Sequence, residues 1–327
     1  MPSNHIFTAL ALAVGALCTL ASGGALAQAF PNKPIRLIVG FPAGTGPDLV
    51  ARVVAQKLQD SPGFNVVVDN KPGAGGLIAA QEAARAAPDG YTLMLGEVGQ
   101  LAIATSSYSR LPYEVQRDFA PVSHIANTDF VLLTNPDKNP AKTAREFATW
   151  AKAQPKFFMG TFGAGTPGHF GAYMFGDTAG VSVEPVHYKS TGDAVGGLLG
   201  GDIPAMFATV ALAAPNVKAG KMRALAVSSG SRAPALPDVP TLREQGFGSL
   251  EFSAWFGVVA PAKTPDEILN RLNAEVVKAV SGAEARGKLQ EMGFKVTGSS
   301  RAEFAAIIRD DTARWGKAVA ATGFKAD

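Results

Sequence analysis

Cysteine is all but missing from this chain: Cys18 is the only one in 327 residues. It falls inside an apolar leader, so the remainder has no thiol nucleophile, no disulfide and no Cys-ligated metal. Histidine is scarce as well, with only His124, His169 and His187 beyond the leader. The chain contains no His-Glu-x-x-His, no Gly-x-Ser-x-Gly and no Gly-Lys-Ser/Thr phosphate loop. That removes the usual metalloprotease, hydrolase and nucleoside-triphosphatase signatures. A Ser-His-Asp triad needs no sequence adjacency, but nothing marks one, and the chain reads as a protein that does no chemistry and needs no cofactor. Concentrated runs of Lys and Arg are missing too. The 30 basic and 27 acidic residues leave a net charge of +3, too mild and dispersed for nucleic acid yet suited to small anions.

What is present starts with that leader. Ile6 to Leu20 is nearly unbroken apolar sequence, and Ala25-Leu26-Ala27 supplies a small-x-small cleavage pattern. Residues 1–27 therefore read as a secretory signal peptide. The apolar core is too short for a membrane span and no stop-transfer charges follow. The amino-terminal flank has only His5 in place of Lys or Arg, so a retained anchor is the alternative. Leu17 is too bulky for a lipoprotein cleavage box. The exported chain is expected in the periplasm, away from ATP and NAD. No second apolar stretch approaches the length of a transmembrane helix.

The rest alternates strand, Gly-rich loop and helix. Ile35 to Val39 reads as a buried strand, Gly40 to Pro47 as a loop, and Leu49, Val50, Val53, Val54 and Leu58 recur with helical period. The unit repeats with Val66–Val68, the loop Asn70 to Gly76, a helix Leu77 to Ala87 and a strand Tyr91 to Leu95. Further strands are expected at Phe157–Gly160, Val181–His187, Ala205–Phe207 and Arg223–Ser228, with helices from about His169 and over Ala194–Leu199. Thr143 to Glu146 and Thr264 to Glu267 each match a capping box, and Ser300 to Glu303 starts the last helix. Such alternation implies an α/β protein with largely parallel sheets.

Two loops can carry binding chemistry. Gly163-Ala164-Gly165-Thr166-Pro167-Gly168 matches the GxGxxG dinucleotide pattern, with Glu184 near the position of a ribose-binding acid. Pro167 removes an N–H close to the phosphate position, and export argues against a nicotinamide cofactor. The broader requirement that the motif meets is an anion at a helix N-terminus. A plain strand-to-helix turn is the bland alternative. The earlier loop, Phe41 to Asp48, has the same physics, with the Thr45 hydroxyl and a helix dipole to meet a carboxylate. Asp48 is either a helix-start residue favoured by the dipole or an acceptor for a polar ligand group.

The blocks Phe30 to Arg36, Phe41 to Gly44, Asn70 to Gly76, Ala87 to Leu93 and Leu111 to Tyr113 resemble the Bug-type receptors of tripartite tricarboxylate transporters. So do Tyr188-Lys189, Leu198 to Gly201, Val217 to Lys221, Ala235 to Thr241 and Trp255 to Gly257, all in the family's order. The resemblance implies a two-domain periplasmic binding protein of type II-like fold, with the ligand cleft between domains. It further implies residues 28–130 plus 254–327 as one domain and 131–253 as the other, with hinges near 127–131 and 250–255. The ligand would be a small organic acid, either a di- or tricarboxylate or an aromatic acid. The partners would be the membrane permease subunits and the receptor itself a monomer. An exported enzyme or a sensor component on the same fold is the alternative function.

On that basis the first loop is expected to contact the ligand through Phe41, Ala43, Gly44, Thr45, Gly46 and Asp48. The second loop is expected to do so through Gly163, Gly165, Thr166 and His169. Glu97, Tyr188, Lys189, Ser190 and Thr209 complete the expected set. The chain departs from the family pattern at Gly44-Thr45-Gly46-Pro47-Asp48, at Gly96-Glu97-Val98-Gly99-Gln100 and at Tyr188-Lys189-Ser190. Glu97 reads as a solvated or helix-terminal acid, or as a group that disfavours a second carboxylate or accepts from a hydroxyl or amino substituent. Lys189 is a surface lysine or a point charge on the ligand. Phe252 and Trp255 are core residues or an aromatic wall.

Overall fold

The computed structural model describes residues 30–188 and 190–326. The signal reading at 1–27 and the expected contact Lys189 lie outside the described residues. Strand β1 (Ile35–Val39) is almost wholly buried, as its β-branched run requires, and ends at the first Gly-rich loop. Helix α1 (Gly46–Leu58) follows and buries Val50, Val53, Val54 and Leu58 on one face. Then come β2 (Val66–Asn70), α2 (Leu77–Ala84) and β3 (Thr92–Glu97). After short helical segments at Gly99–Ile103, Ala104–Ser107 and Val115–Asp118 comes β4 (Phe119–Thr134), a long strand buried along nearly all its length.

The middle of the chain continues with α3 (Ala144–Lys152), β5 (Phe157–Thr161), α4 (Pro167–Ala179), β6 (Val183–His187) and α5 (Thr191–Gly200). It is followed by β7 (Ala205–Thr209), α6 (Val210–Lys218) and β8 (Arg223–Val227). The last part holds β9 (Ser253–Pro261), α7 (Asp266–Ser281), α8 (Ala283–Glu291), β10 (Phe294–Val296) and α9 (Arg301–Thr322). Residues 33–327 form one compact unit.

Among the described residues, the sheet runs β2-β1-β3-β9-β4-β7-β5-β6, with β8 and β10 also paired to β4. The outer pairs are parallel: β1 with β2 and β3, and β5 with β6 and β7. The centre is antiparallel, because β4 and β9 run against their neighbours. A largely parallel sheet was the expectation, and the βαβ units do give parallel pairs. The returning strands β4 and β9 make the whole sheet mixed. β4 changes partner along its length: Phe119 to Asp129 face β9, and Phe130 to Thr134 face β7 and β8. Ser228 marks the change, accepting from the Phe130 N–H at 2.9 Å and donating to the Phe252 carbonyl at 2.7 Å.

Aromatic packing holds this centre. Phe130 and Phe207 lie against Phe252 with ring centroids 5.3 and 5.1 Å away, and Phe175 packs on Phe147 and Phe247. Each such side chain contributes about 1.5–3 kcal/mol by leaving water. Phe252 and Trp255 are core residues, the latter donating its indole N–H to Asp311 at 2.6 Å. Neither of the two expected capping boxes is complete; the complete one is Ser300 with Glu303 at the start of α9. Thr143 caps α3, but Glu146 accepts from the Lys142 N–H instead. Thr264 donates to the Pro261 carbonyl, leaving Pro265 as the uncapped N-cap of α7.

Candidate ligand-binding cleft

Four helices, α1, α4, α5 and α6, begin at one cavity of about 290 Å³, and their N-cap residues Thr45, Thr166, Ser190 and Thr209 all line it. None of the three threonine side chains caps its own helix. Ser190, Thr143 and Ser300 do accept from their helices' backbone. The first turns of α1, α4 and α6 therefore keep N–H groups without an intrahelical acceptor. Those of Gly46, Gly168 and Ala211 belong to residues that line the cavity. Helix dipoles add partial positive charge at the same place, which makes an anion seat built from backbone alone. Phe41, Phe130, Phe162, Leu212 and Phe256 form the apolar walls. The volume falls at the small end of ligand sites.

Of the expected contact residues, Phe41, Gly44, Thr45, Gly46, Glu97, Thr166, Tyr188, Ser190 and Thr209 line this cavity. The others are placed differently. Ala43 is exposed and outside the lining. Asp48 is turned into the loop, where Oδ2 accepts from the Gly44 N–H at 2.8 Å and from Arg52 Nε at 2.9 Å. Its Oδ1 accepts from Asn70 Nδ2 at 3.0 Å. Burial works against its charge, but these hydrogen bonds outweigh it and hold the carboxyl below its ordinary range. With three donors on its two oxygens, Asp48 clamps the loop to Arg52 and to the end of β2.

His169 is also outside the cavity lining. Its ring is wholly buried, Nδ1 accepts from the Gly165 N–H at 3.1 Å, and it sits among Phe170, Tyr173, His187 and Phe324. Burial, then the neighbouring His187, pushes its pKa down to about 3, so it braces the loop as a neutral ring. Gly163 and Gly165 set the loop's path with φ of 130° and 76°, conformations that side-chain-bearing residues rarely adopt. The threonine hydroxyls are also committed: Thr45 donates to Pro42 O at 2.6 Å and Thr166 to Gly163 O at 2.8 Å. They tie the two loops in matching fashion and leave anion contact to the backbone.

Glu97 ends β3 at the cleft and is 7 % exposed. Its N–H donates to Gln100 Oε1 at 3.0 Å, while Gln100 Nε2 donates to Gly76 O at 2.9 Å, which fixes the strand end. Its Oε1 is buried without a hydrogen-bond partner. Burial pushes its carboxyl up to about 8. The walls from Phe130, Phe256 and α6 were not foreseen; Thr209 was the one signal pointing at that helix.

The profile of the TctC tripartite tricarboxylate transporter family receptor matches residues 50–324. The chain belongs to that family. It is 34% identical to protein BugT of Bordetella pertussis over 301 residues, which is 91% of this chain and 92% of BugT. The structure of MatC from Rhodopseudomonas palustris with bound malate superposes with a TM-score of 0.83 at 30% identity, covering 89% of this chain and 100% of that one. The periplasmic binding protein BugD gives a TM-score of 0.84 at 28% identity, covering 90% and 99%. These likenesses establish a Bug-type receptor with the periplasmic binding protein fold. Helix α4 lies inside the matched region, and α1 enters it at Val50.

Proposed function

We propose that this TctC receptor works in the periplasm, capturing a small organic carboxylate and handing it to the permease of a tripartite tricarboxylate transporter. The observation that carries the reading is the meeting of three side-chain-free helix N-termini on one small cavity. A carboxylate gains charge-assisted hydrogen bonds from such N–H groups and favourable dipole energy. Malate bound to the MatC relative is in keeping with this chemistry. A thermal-shift panel tests it. One or more organic acids should stabilise the protein by about 2.7 kcal/mol at a hundredfold excess over Kd, and their amides should not. Equal stabilisation by the neutral amides would contradict the proposal.

Capture would involve closure of two lobes, residues 28–130 with 254–327 and residues 131–253. The change of β4 partner at Asp129 and Phe130 supports a hinge there, since the strand is the shared rail of both sheet halves. Small-angle scattering should register compaction at ligand saturation. An unchanged profile from a protein that is open when free would count against closure.

A further inference from the structure

The second Gly-rich loop has a brace that lies outside the cavity lining. His169 is fully buried, and its Nδ1 accepts from the Gly165 N–H at 3.1 Å. A neutral imidazole that accepts at Nδ1 carries its proton on Nε2, and Nε2 is buried with no hydrogen-bond partner. Aromatic rings surround the imidazole instead. Phe324 stands edge-on to it with centroids 4.5 Å apart, and His187 does so at 4.8 Å. Phe324 also packs on Phe170 at 5.7 Å. It belongs to the segment after α9, which is pinned beside the loop. There the Ala326 N–H donates to the Ser107 carbonyl at 2.7 Å, and Lys325 Nζ donates to the Ser106 carbonyl at 3.0 Å. Ser107 flanks the loop in turn, its Oγ 3.6 Å from the place a Cβ on Gly165 would take.

We infer that Phe324 is a positioning residue of the cleft: it seals the His169 ring from water, and the sealed ring holds the Gly165 N–H and with it the path of the second loop into α4. This rests on the reading of that helix start as a carboxylate seat and deepens it. A protonated imidazole has two donors and no acceptor, so protonation would set Nδ1 against the Gly165 N–H and release the brace. The seal works against that. Burial first, and His187 second, push the His169 pKa down to about 3, because a dry ring disfavours its charged form. Tyr173 on α4, Tyr108 beside Gly165 and Lys325 next to Phe324 also stand around it, but His187 alone acts on its charge. Without Phe324, water reaches the ring and its pKa returns toward the ordinary 6.5. The loop then becomes acid-labile.

NMR titration of the histidine rings, with His169 assigned as the signal that His169→Gln lacks, tests the inference on the wild type, Phe324→Ala and Phe324→Leu. Protection of the Gly165 amide against hydrogen exchange is read at pH 7 and pH 5 on the same proteins. In the wild type His169 should stay neutral down to pH 5, with equal Gly165 protection at both pH values. In Phe324→Ala its pKa should rise to about 6, leaving about a tenth of the rings neutral at pH 5, and protection should fall by about that factor. Phe324→Leu keeps an apolar seal and should behave as the wild type. Calorimetry with malate, adipate and benzoate should follow the same course. The affinity of Phe324→Ala relative to wild type should be about fivefold or more lower at pH 5 than at pH 7, a ratio in which the titrations of Glu97, His187 and the acid itself cancel. A wild-type His169 that titrates near 6.5 would overturn the inference. So would a Phe324→Ala protein whose protection and affinity are unchanged, or are lost equally at both pH values. If that variant does not fold, Phe324→Val is read in the same way, and an unmoved His169 pKa there overturns the inference. If none of the acids binds the wild type, the carboxylate reading fails, while titration and exchange still decide the role of Phe324.

Discussion

Glu97→Gln should make the free protein more stable at pH 8, by about 3–4 kcal/mol. The folded carboxyl titrates at about 8 against an ordinary 4.5. Below pH 4.5 both folded and unfolded chains hold the proton, and the residue exerts no pH-dependent penalty. As pH rises, the unfolded chain releases its proton first, and stability falls by about 1.4 kcal/mol per pH unit until the folded carboxyl also ionises. Over about 3.5 units the loss reaches about 5 kcal/mol, and burying the glutamine amide offsets about 1–2 kcal/mol of the gain. The variant's Tm should exceed the wild type's by about 5–10 °C at pH 8 and drop slightly below it near pH 4.5, where only the cost of burying the amide is left. A pH-independent difference, or none, would show that Glu97 is not held as a destabilised acid.

Asp48→Ala is expected to act in the opposite sense. The side chain is 2 % exposed and accepts from the Gly44 backbone, Arg52 and Asn70. Truncation strands the Gly44 N–H and removes the clamp between the loop and the end of β2. A loss of about 3 kcal/mol in urea unfolding at pH 7 follows for a buried, hydrogen-bonded carboxylate. Because the carboxyl sits below its ordinary range, its contribution is present above the unfolded pKa and fades as pH falls through the folded one. Acid should therefore narrow the gap between variant and wild type. Ligand affinity should fall by at least about tenfold with the loop unclamped. A variant within about 0.5 kcal/mol of wild type would mean the clamp is dispensable.

Much of this was legible in the chain. The β1–loop–α1 unit announces itself through Ile35 to Val39, the glycine break and the period of Val50, Val53, Val54 and Leu58. Helix α6 was hidden by Pro215, a helix-breaking residue inside a nine-residue helix. Strand β4 was hidden because Pro121, Ser123, His124, Asn127 and Asp129 interrupt its apolar residues, although the strand is buried almost throughout. In the site, glycine spacing located both loops but could not say which atoms stay free. Asp48 and His169 look like ligand groups in sequence, yet each accepts from a backbone N–H of its own loop, through Oδ2 and Nδ1, while His169 Nε2 stays without a partner. Phe130 and Phe256 reach the cleft through pairing across distant segments, information that local pattern does not hold.

A crystal structure of the protein saturated with its tightest-binding acid tests the central claim most directly. The carboxylate oxygens should lie about 2.7–3.2 Å from the backbone nitrogens of Gly46 and Gly168, at the starts of α1 and α4. A carboxylate seated away from those helix ends, or paired instead with a side-chain cation outside the cavity, would contradict the account.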